Sequence, residues 1–400
     1  MNKHGLTYKR LEDVCDFTRG LTYKGKDEVD YSSNVVLRSN NVDLATYTLN
    51  LDDLKYIAED ISIPEDKFIK KNTLLICMSN GSKQHLGKVA FIDRDYPYAF
   101  GGFMGLIKPN ETEIFPKYVY YYCCSPKYKS FLLTIGNGAN INNLRFSDIG
   151  KNQLPVPSME EQVAIVAELD EINEAITDLQ QQVTDLDNLT QSTFYDMFGD
   201  PITNPIGWEV KKLGELYKVT SSKRILQSEW QNKGVPFYKV ADIVNLINEV
   251  PVVPLTYIRE TTYEELKNQG QVPVCADILI TSRGTLGQCY IIKNDDRFYF
   301  QDGMITWLSQ KAESPLPIYV KSLFSVNNFR NNLIQKANSS TVAYLSITQI
   351  AKIPIPIPPL ALQQEFTAKV EAIESAKAEI NAQIAEMQTL LASRMDYYFD

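Results

Sequence analysis

The side chains that most often act as nucleophiles, general bases or metal ligands are few and scattered in this sequence. The two histidines are His4 and His85, and the six cysteines include no C-x-x-C pair. A zinc site needs cysteine and histidine at short spacing, and a serine–histidine–aspartate triad would have to use one of these two histidines. No G-x-x-x-x-G-K-[ST] loop is present to hold ATP phosphates. We therefore expect buried free thiols, no metal site and no catalytic residue in this chain.

Polar residues gather instead in three pairs of loops that occupy equivalent places in the two halves of the chain. Arginine and lysine suit phosphates and guanine, whereas asparagine and glutamine suit adenine. The loops are therefore candidate DNA-binding segments, with ordinary solvated turns as the alternative, and Arg283 is the strongest single candidate. The candidate DNA-binding residues are Arg38, Asn40, Asn41, Ser79, Asn80, Ser82, Lys83, Gln84, His85, Asn140, Asn142, Asn143, Lys239, Ser282, Arg283, Thr285, Asn338, Ser339, Ser340 and Thr341.

A net charge of −9 argues against DNA binding, but the acidic residues are concentrated in two segments. Residues 152–210 contain 12 acidic residues and no lysine or arginine, and residues 360–400 contain seven acidic and three basic residues. The remainder holds 37 basic and 30 acidic residues, a net charge of +7. A DNA-binding surface needs only local positive charge, so the composition does not exclude one.

The chain is a tandem repeat with a period of about 201 residues. Residues 115–119 match 316–320, and residues 154–157 match 355–358. The two halves share apolar positions but differ in their polar loops, which is the pattern of two domains of one fold with different binding preferences. Drift after duplication without functional divergence is the alternative.

Each half has the same predicted layout, a mixed α+β domain followed by a proline-rich segment and a long helix. Aromatic and aliphatic spacing predicts a helix over 117–133 in the first half and over 318–334 in the second. The proline-rich segments 155–157 and 354–359 predict rigid extended connectors. Ser158 is then the predicted helix N-cap.

The long helices carry a heptad pattern, with apolar residues alternately four and three positions apart. The matched register in the two halves favours pairing of the helices with each other, and an ordinary bundle face is the alternative. Antiparallel pairing would give a spacer of roughly 50 Å, against about 34 to 36 Å for one turn of DNA. Lys377 is the one polar residue in the pattern. The predicted spacer residues are Ile165, Leu169, Ile172, Ile176, Leu179, Val183, Leu186, Phe366, Val370, Ile373, Ile380, Ile384 and Met387.

The order of domain, proline-rich segment and coiled helix, repeated once, resembles the specificity subunit of type I restriction-modification enzymes over essentially the full length. Residues 345–350, followed by 355–360 and Gln363-Gln364, are similar to the family's "LS..DL..L.IPLPPL.EQ" signature. Residues 194–200 resemble the family's central junction, and residues 160–162 end a looser first copy of the signature. No one of these motifs is diagnostic, but their combined order and duplication are specific.

The resemblance implies two target recognition domains, each reading one half of an asymmetric, interrupted site in double-stranded DNA. It implies that the helices form a spacer and a docking platform for two methyltransferase subunits, which restriction subunits join in the full complex. S-adenosylmethionine, ATP and magnesium are then expected on those partners, and no cofactor in this chain. The [DNS]-P-P-[YFW] loop of amino-methyltransferases is absent here, so catalysis is expected to reside in the partner subunits.

The predicted fold class is α+β, with two tandem target recognition domains separated by two long antiparallel coiled-coil helices and related by a pseudo-twofold axis. The predicted limits are 1–157 and 199–358 for the recognition domains, and 158–198 and 359–398 for the helices. With no membrane helix or signal peptide evident, a cytoplasmic location is expected. The rival functions are a coiled-coil adaptor that does not bind DNA and a nuclease fused to a DNA reader.

Overall fold

The computed structural model describes residues 7–135, 143–337 and 344–400 and divides into two compact units. Unit 1 comprises residues up to 180 together with 382–400, and unit 2 comprises residues 181–381. Each of the two long helices therefore contributes one part to each unit. The recognition-domain limits given above remain a prediction.

Unit 1 contains two four-stranded sheets and a two-stranded ribbon. Its elements, up to the first long helix, are β1 (Thr7–Arg10), α1 (Leu11–Val14), β2 (Cys15–Arg19), β3 (Glu28–Val29), β4 (Asn34–Leu37), β5 (Lys55–Ile57), β6 (Thr73–Cys77), β7 (Val89–Ile92), β8 (Tyr98–Phe100), β9 (Met104–Pro109), α2 (Pro116–Cys124), α3 (Pro126–Ile135), α4 (Phe146–Ile149), β10 (Gln153–Val156) and α5 (Met159–Phe198). The sheet orders are β2-β9-β6-β7 and β3-β5-β4-β8, and β1 pairs with β10. All these pairings are antiparallel except that of β4 with β8.

Strand β6 shows how the sequence builds the core of unit 1. Every residue of this strand is buried, and successive side chains point to opposite faces of the sheet. Leu74 and Ile76 pack into the core cluster that contains the α2 residue Tyr118, whereas Leu75 and Cys77 pack into a second cluster with Phe100. A continuous apolar run is therefore the correct pattern for this strand, because both of its faces are covered.

Unit 2 repeats this topology with different connections. Its elements are β11 (Glu209–Lys212), α6 (Leu213–Leu216), β12 (Tyr217–Thr220), β13 (Val235–Tyr238), α7 (Val240–Ile247), β14 (Tyr257–Ile258), α8 (Glu260–Asn268), β15 (Ile278–Thr281), β16 (Cys289–Ile291), β17 (Tyr299–Phe300), β18 (Ile305–Gln310), α9 (Pro317–Ser325), α10 (Asn327–Ala337), α11 (Ile347–Ala351), β19 (Pro354–Ile357) and α12 (Leu360–Phe399). The order β12-β18-β15-β16 corresponds to β2-β9-β6-β7, and β14-β13-β17 corresponds to β5-β4-β8. Helices α7 and α8 occupy the part of the chain where unit 1 has short turns.

The helix predicted over 117–133 is wrong as a single element, because the structure divides it into α2 and α3 at Ser125. Proline disfavours a helical conformation in the residue before it, and Ser125, which precedes Pro126, has ψ 153°. In the second half the predicted helix over 318–334 also divides, into α9 and α10. There Val326 is extended, with ψ 125°, and completely buried.

The proline-rich segments were predicted as rigid extended connectors, and in the structure their first parts are paired strands, β10 and β19. Strand β10 pairs with β1 so that Pro155 lies opposite Tyr8, and β19 pairs with β11 so that Pro356 lies opposite Val210. Each is an edge of a two-stranded ribbon, where the missing proline N–H is tolerated. Each ribbon joins the beginning of a unit's sheet region to its end.

Helices α5 and α12 are each 40 residues long and supply core residues at their ends. In unit 1 the Phe399 ring lies 5.2 Å from the Tyr118 ring, and in unit 2 the Phe198 ring lies 5.0 Å from the Tyr319 ring. Ser158 precedes α5 as its N-cap and forms a capping box with Glu161. The Ser158 hydroxyl accepts from the Glu161 backbone amide at 3.3 Å, and the Glu161 carboxylate accepts from the Ser158 backbone amide at 2.9 Å. The predicted N-cap is therefore confirmed.

The two long helices run in opposite directions where both are present in unit 2. Lys377 bonds to Asp187 at 2.6 Å, and the Phe366 ring lies 5.1 Å from that of Phe198. The later residue of α5 therefore contacts the earlier residue of α12, which is the order of an antiparallel pair. In unit 1, Glu168 of α5 pairs with Arg394 of α12 at 2.7 Å.

Every predicted spacer position is buried or half-buried, as a heptad face between paired helices requires. Leu169, Ile172 and Ile176 are buried on α5, and Phe366 and Val370 are buried on α12. The remaining spacer residues are half-buried. The α+β class and the tandem arrangement are confirmed, and the pseudo-twofold relation remains a prediction.

Candidate nucleic-acid interface

The polar loops predicted in unit 1 lie together in the structure. The Asn80 amide donates to the Ser39 hydroxyl at 2.6 Å, which joins the loop after β6 to the loop after β4. Ser79 forms an isolated antiparallel bridge with Asn143, the described part of the third loop. Three segments that are far apart in sequence therefore meet at one place.

A depression of about 1070 Å³ lies among these loops. Two further segments border the depression, and the sequence did not single them out. They are residues 21–28, which lead from β2 into β3, and residues 101–104, which lead into β9. The lining combines polar side chains with apolar surface from residues such as Phe103 and Met104. The lining residues are Leu21, Thr22, Tyr23, Gly25, Glu28, Arg38, Ser39, Asn40, Asp53, Ser79, Asn80, Gly81, Gly101, Gly102, Phe103 and Met104.

Asp53 holds two of the predicted DNA-binding side chains at the edge of this depression. Its carboxylate accepts from the Arg38 guanidinium at 3.1 Å and from the Asn40 amide at 2.6 Å. The carboxylate thereby orients one cation and one amide side by side. Such a set can donate to phosphates or base edges, because a guanidinium has five N–H groups and an amide has two.

Asn41 is not available for DNA contact, which corrects the prediction for this residue. Its side chain is completely buried, its oxygen accepts from the Arg38 amide at 2.7 Å, and its nitrogen donates to the carbonyls of Asn50 and Asp53 at 2.9 Å each. All of its hydrogen-bonding groups are therefore used to shape the 38–53 loop. Neighbouring asparagines look alike in sequence, so only the structure separates Asn41 from the exposed Asn40.

The rest of the loop after β6 reaches solvent. Ser82, Lys83 and Gln84 are exposed, and His85 is half-buried. Beneath this loop Lys88 is buried, and its ammonium group donates to the Val42 carbonyl at 2.6 Å. Burial lowers the pKa of Lys88 from its usual value, with the nearby Cys77 and Asp43 acting in the opposite direction.

The equivalent loop of unit 2 presents Arg283. Arg283 forms an isolated bridge with Tyr344, the counterpart of the bridge between Ser79 and Asn143. Arg283 and Thr285 are exposed on either side of Gly284, whose φ of +77° suits glycine. Within the described ranges, the Arg283 guanidinium has no carboxylate partner. It is thus an exposed cation that can bind a phosphate or a guanine.

Ser282 does not face DNA, and the prediction for its side chain is also corrected. The residue is 1% exposed, and its hydroxyl shares a hydrogen bond of 2.7 Å with that of Thr306 on β18. Lys239, the counterpart of Arg38, is half-buried and lies over the Trp230 ring at 4.7 Å. This cation–π contact restricts where the Lys239 side chain can reach.

Lys223 and Arg224, which the sequence did not single out, follow a segment that is linked to the 282–285 loop of unit 2. The preceding Ser221 hydroxyl accepts from the Gly303 amide at 3.3 Å, and the adjacent Met304 carbonyl accepts from the Ser282 amide at 2.9 Å. Both basic side chains are exposed, and neither forms an ion pair in the part of the chain that is described. Two adjacent basic residues after a strand-like run were the signal that could have identified them.

Several predicted residues lie outside the described residues, namely Asn140, Asn142, Asn338, Ser339, Ser340 and Thr341. Within the described ranges no group of three histidine, cysteine or acidic side chains could hold a metal ion, and the six cysteines are free thiols. None of the described helices is both long and apolar enough to cross a membrane.

This fold, with polar loops at equivalent places in its two units, is that of a known class of DNA specificity proteins. The sequence model of the type I restriction modification DNA specificity domain matches residues 4–186 and again 205–387. The chain therefore belongs to this family, and the predicted family and tandem arrangement are confirmed. The family is a DNA specificity domain, so the adaptor alternative is not supported.

The relatives agree with this assignment. The type I restriction enzyme StySPI specificity subunit of Salmonella potsdam is 24% identical, over 96% of this chain and 86% of the relative. The type I restriction enzyme EcoKI specificity subunit of Escherichia coli K12 is 22% identical over the same shares of both chains. A solved chain from a study of complex assembly and conformational transition of the type I R-M system has a similar fold, with TM-score 0.57, 17% identity, and coverage of 99% of this chain and 98% of that one.

Proposed function

We propose that this chain selects the DNA target of a type I restriction-modification complex by reading a two-part, asymmetric sequence, one half-site with each unit. The observation that carries the proposal is the pair of equivalent bridges, Ser79 with Asn143 and Arg283 with Tyr344. The backbone pairing is equivalent at the two bridges, but unit 1 has the hydroxyl of Ser79 where unit 2 has the guanidinium of Arg283. A guanidinium pairs with guanine in the major groove and a hydroxyl does not discriminate in this way. Two copies of one reader with different side chains therefore select two different half-sites.

The long helices supply a surface for protein partners in this proposal. Residues 152–210 carry 12 acidic residues and no basic residue, so most of α5 repels phosphates and is unsuited to DNA. Two methyltransferase subunits would dock on the helices, and restriction subunits would join the full complex. S-adenosylmethionine, ATP and magnesium would be bound by those partners, and the complex would act in the cytoplasm, on the DNA there.

The test is to map methylated adenines across the genome of the source cell with and without this chain. The expected result is one interrupted, asymmetric motif that is methylated only when the chain is present. A matched comparison uses the variant Arg283→Ser, which places the unit 1 side chain type in unit 2. This variant should alter one half of the motif and leave the other half unchanged. A continuous motif, or methylation independent of the chain, contradicts the proposal.

A further inference from the structure

Phe103 is a large apolar side chain that lines the depression of unit 1, with 71% of its surface exposed. Its backbone is attached to the loop that carries the candidate DNA-binding residues. The Phe103 carbonyl accepts from the amides of Met78 and Ser79 at 2.9 and 3.1 Å. The ring is therefore carried on the same framework as Ser79.

The turn before Phe103 is tightly packed, which holds in place the backbone that carries the ring. A Cβ atom on Gly20 would lie 1.9 Å from the Gly101 carbonyl oxygen, so the two backbones approach as only glycine allows. A Cβ atom on Gly102 would meet the Leu21 carbonyl oxygen at 3.4 Å. A rigid backbone under an exposed aromatic ring is the arrangement of a binding residue that is positioned before its ligand arrives.

The side chains around Phe103 are suited to the hydrogen-bonding groups of base edges. Arg38, Asn40 and Asn80 line the same depression. The major-groove edges of the base pairs offer one apolar group, the 5-methyl group of thymine, and phenylalanine is among the residues that contact it. Apolar wedges that separate base steps act from the minor groove and must enter between the bases. Phe103 instead lines a concave surface, which favours contact with a base edge.

We propose that Phe103 reads the 5-methyl group of a thymine in the half-site bound by unit 1. The inference rests on the proposed function and extends it to a specificity-determining residue. The counterpart in unit 2 is Met304, whose carbonyl accepts from the Ser282 amide as that of Phe103 accepts from Met78. Met304 is only half-buried and provides a matched control.

The experiment uses the full chain assembled with its methyltransferase subunits and duplexes that carry the mapped target. Each thymine of the target is replaced singly by deoxyuridine, which removes the methyl group and keeps the hydrogen-bonding pattern. We expect one position in one half-site at which this change weakens binding about three- to fivefold, the ratio expected for losing one buried methyl group. The variant Phe103→Ala should bind the thymine and deoxyuridine duplexes equally at that position, and Met304→Ala should keep the difference.

The inference is overturned if Phe103→Ala retains the full deoxyuridine effect at every position, if the half-site of unit 1 contains no sensitive thymine, or if the variant weakens binding equally to all sequences. Thermal unfolding of each variant verifies that the fold is intact, and Phe103→Leu, which keeps an apolar contact, should retain part of the effect. A wild-type complex that shows no sequence preference at all would instead contradict the proposed function.

Discussion

The side-chain amide of Asn80 donates a hydrogen bond of 2.6 Å to the hydroxyl of Ser39, which lies 41 residues earlier in the chain. This bond connects the loop after β6 to the loop after β4, and places both beside the ion pair of Arg38 with Asp53. The candidate interface of unit 1 is therefore a linked set of loops. Changes in one loop are expected to alter what the neighbouring loop can contact.

We expect Asn40 to contribute to DNA binding and Asn41 to contribute to the stability of the fold. Asn40→Ala removes an exposed amide and should weaken binding to the target while leaving the free energy of unfolding unchanged. Asn41→Ala removes the side-chain partner of the Arg38 amide and of the Asn50 and Asp53 carbonyls, and should lower that free energy by about 2–3 kcal/mol. Urea denaturation and DNA titration of the two variants test this pair. Equal effects on stability would contradict the different burial of the two residues.

Arg283→Ala should weaken target binding and relax the choice of one base in the half-site read by unit 2. A lost guanine contact is worth about 1–3 kcal/mol, which is roughly a 5- to 150-fold change in affinity. Competition binding with single-base variants of the target measures this change. The control is Arg297→Ala, which should leave the choice of base unchanged, because the Arg297 guanidinium is paired with the Glu260 carboxylate at 2.5 Å. An equal loss on all sequences would identify Arg283 as a phosphate contact.

Lys223 and Arg224 should contribute to affinity without affecting sequence choice, because phosphates carry no sequence information. Replacing both by alanine should lower the slope of log affinity against log salt concentration by about 1.8, corresponding to two phosphate contacts. Binding at a series of salt concentrations measures this slope. Lys369→Ala, which changes an exposed lysine paired with Glu365 on α12, should leave the slope unchanged. A slope that stays the same in the double variant would remove both residues from the interface.

Lys377 and Asp187 should determine how the long helices pair in unit 2. Asp187→Ala is expected to destabilise the chain by about 0.5–1 kcal/mol, because it removes the cross-helix partner of a lysine whose side chain is 17% exposed. Lys377→Leu restores an apolar heptad and should raise the melting temperature. Thermal unfolding of both variants and of the double variant measures the coupling. A lower melting temperature for Lys377→Leu would contradict the expectation that an apolar residue is more stable than lysine at this heptad position.

The same pair predicts a dependence of stability on alkaline pH. Burial lowers the pKa of Lys377, but its hydrogen bond with Asp187 and the charge of Glu374 outweigh burial, so the pKa is raised above 10.5 overall. A raised pKa in the folded chain means that the pair stabilises the fold below pH 10.5. This contribution should be lost as the pH rises through the folded-state value. The free energy of unfolding of Lys377→Leu, measured by urea denaturation across this pH range, should fall less at alkaline pH than that of the wild type.

Cys275 should be the single rapidly reacting thiol of the native chain. It is the exposed cysteine among the six, whereas burial raises the pKa of Cys15, Cys124 and Cys289 to about 12. The thiolate is the reactive form, so these three thiols, with their raised pKa, should react slowly at pH 8. Titration with a disulfide reagent should show one fast thiol, none in Cys275→Ser, and six in urea. Two fast thiols in the native chain would contradict the burial seen in the structure.

The sequence by itself determined the tandem repeat, the long helices and the start of the first one at Ser158. These features depend on local spacing, since a heptad pattern needs neighbours three and four residues apart and a capping box needs a residue three positions on. Local patterns also located the polar loops. They did not show the break at Val326, which has no proline after it and is extended in a buried position.

Only the tertiary structure decided which polar residues of those loops can reach a ligand. Asn41 and Ser282 are of the right chemical type but are buried, and Lys223 and Arg224 follow Ser221, which accepts a hydrogen bond from Gly303 in another loop. The physical reason is that burial and hydrogen bonding of a polar side chain depend on which strands pair around it. Those pairings join residues far apart in the chain, and no local spacing records them.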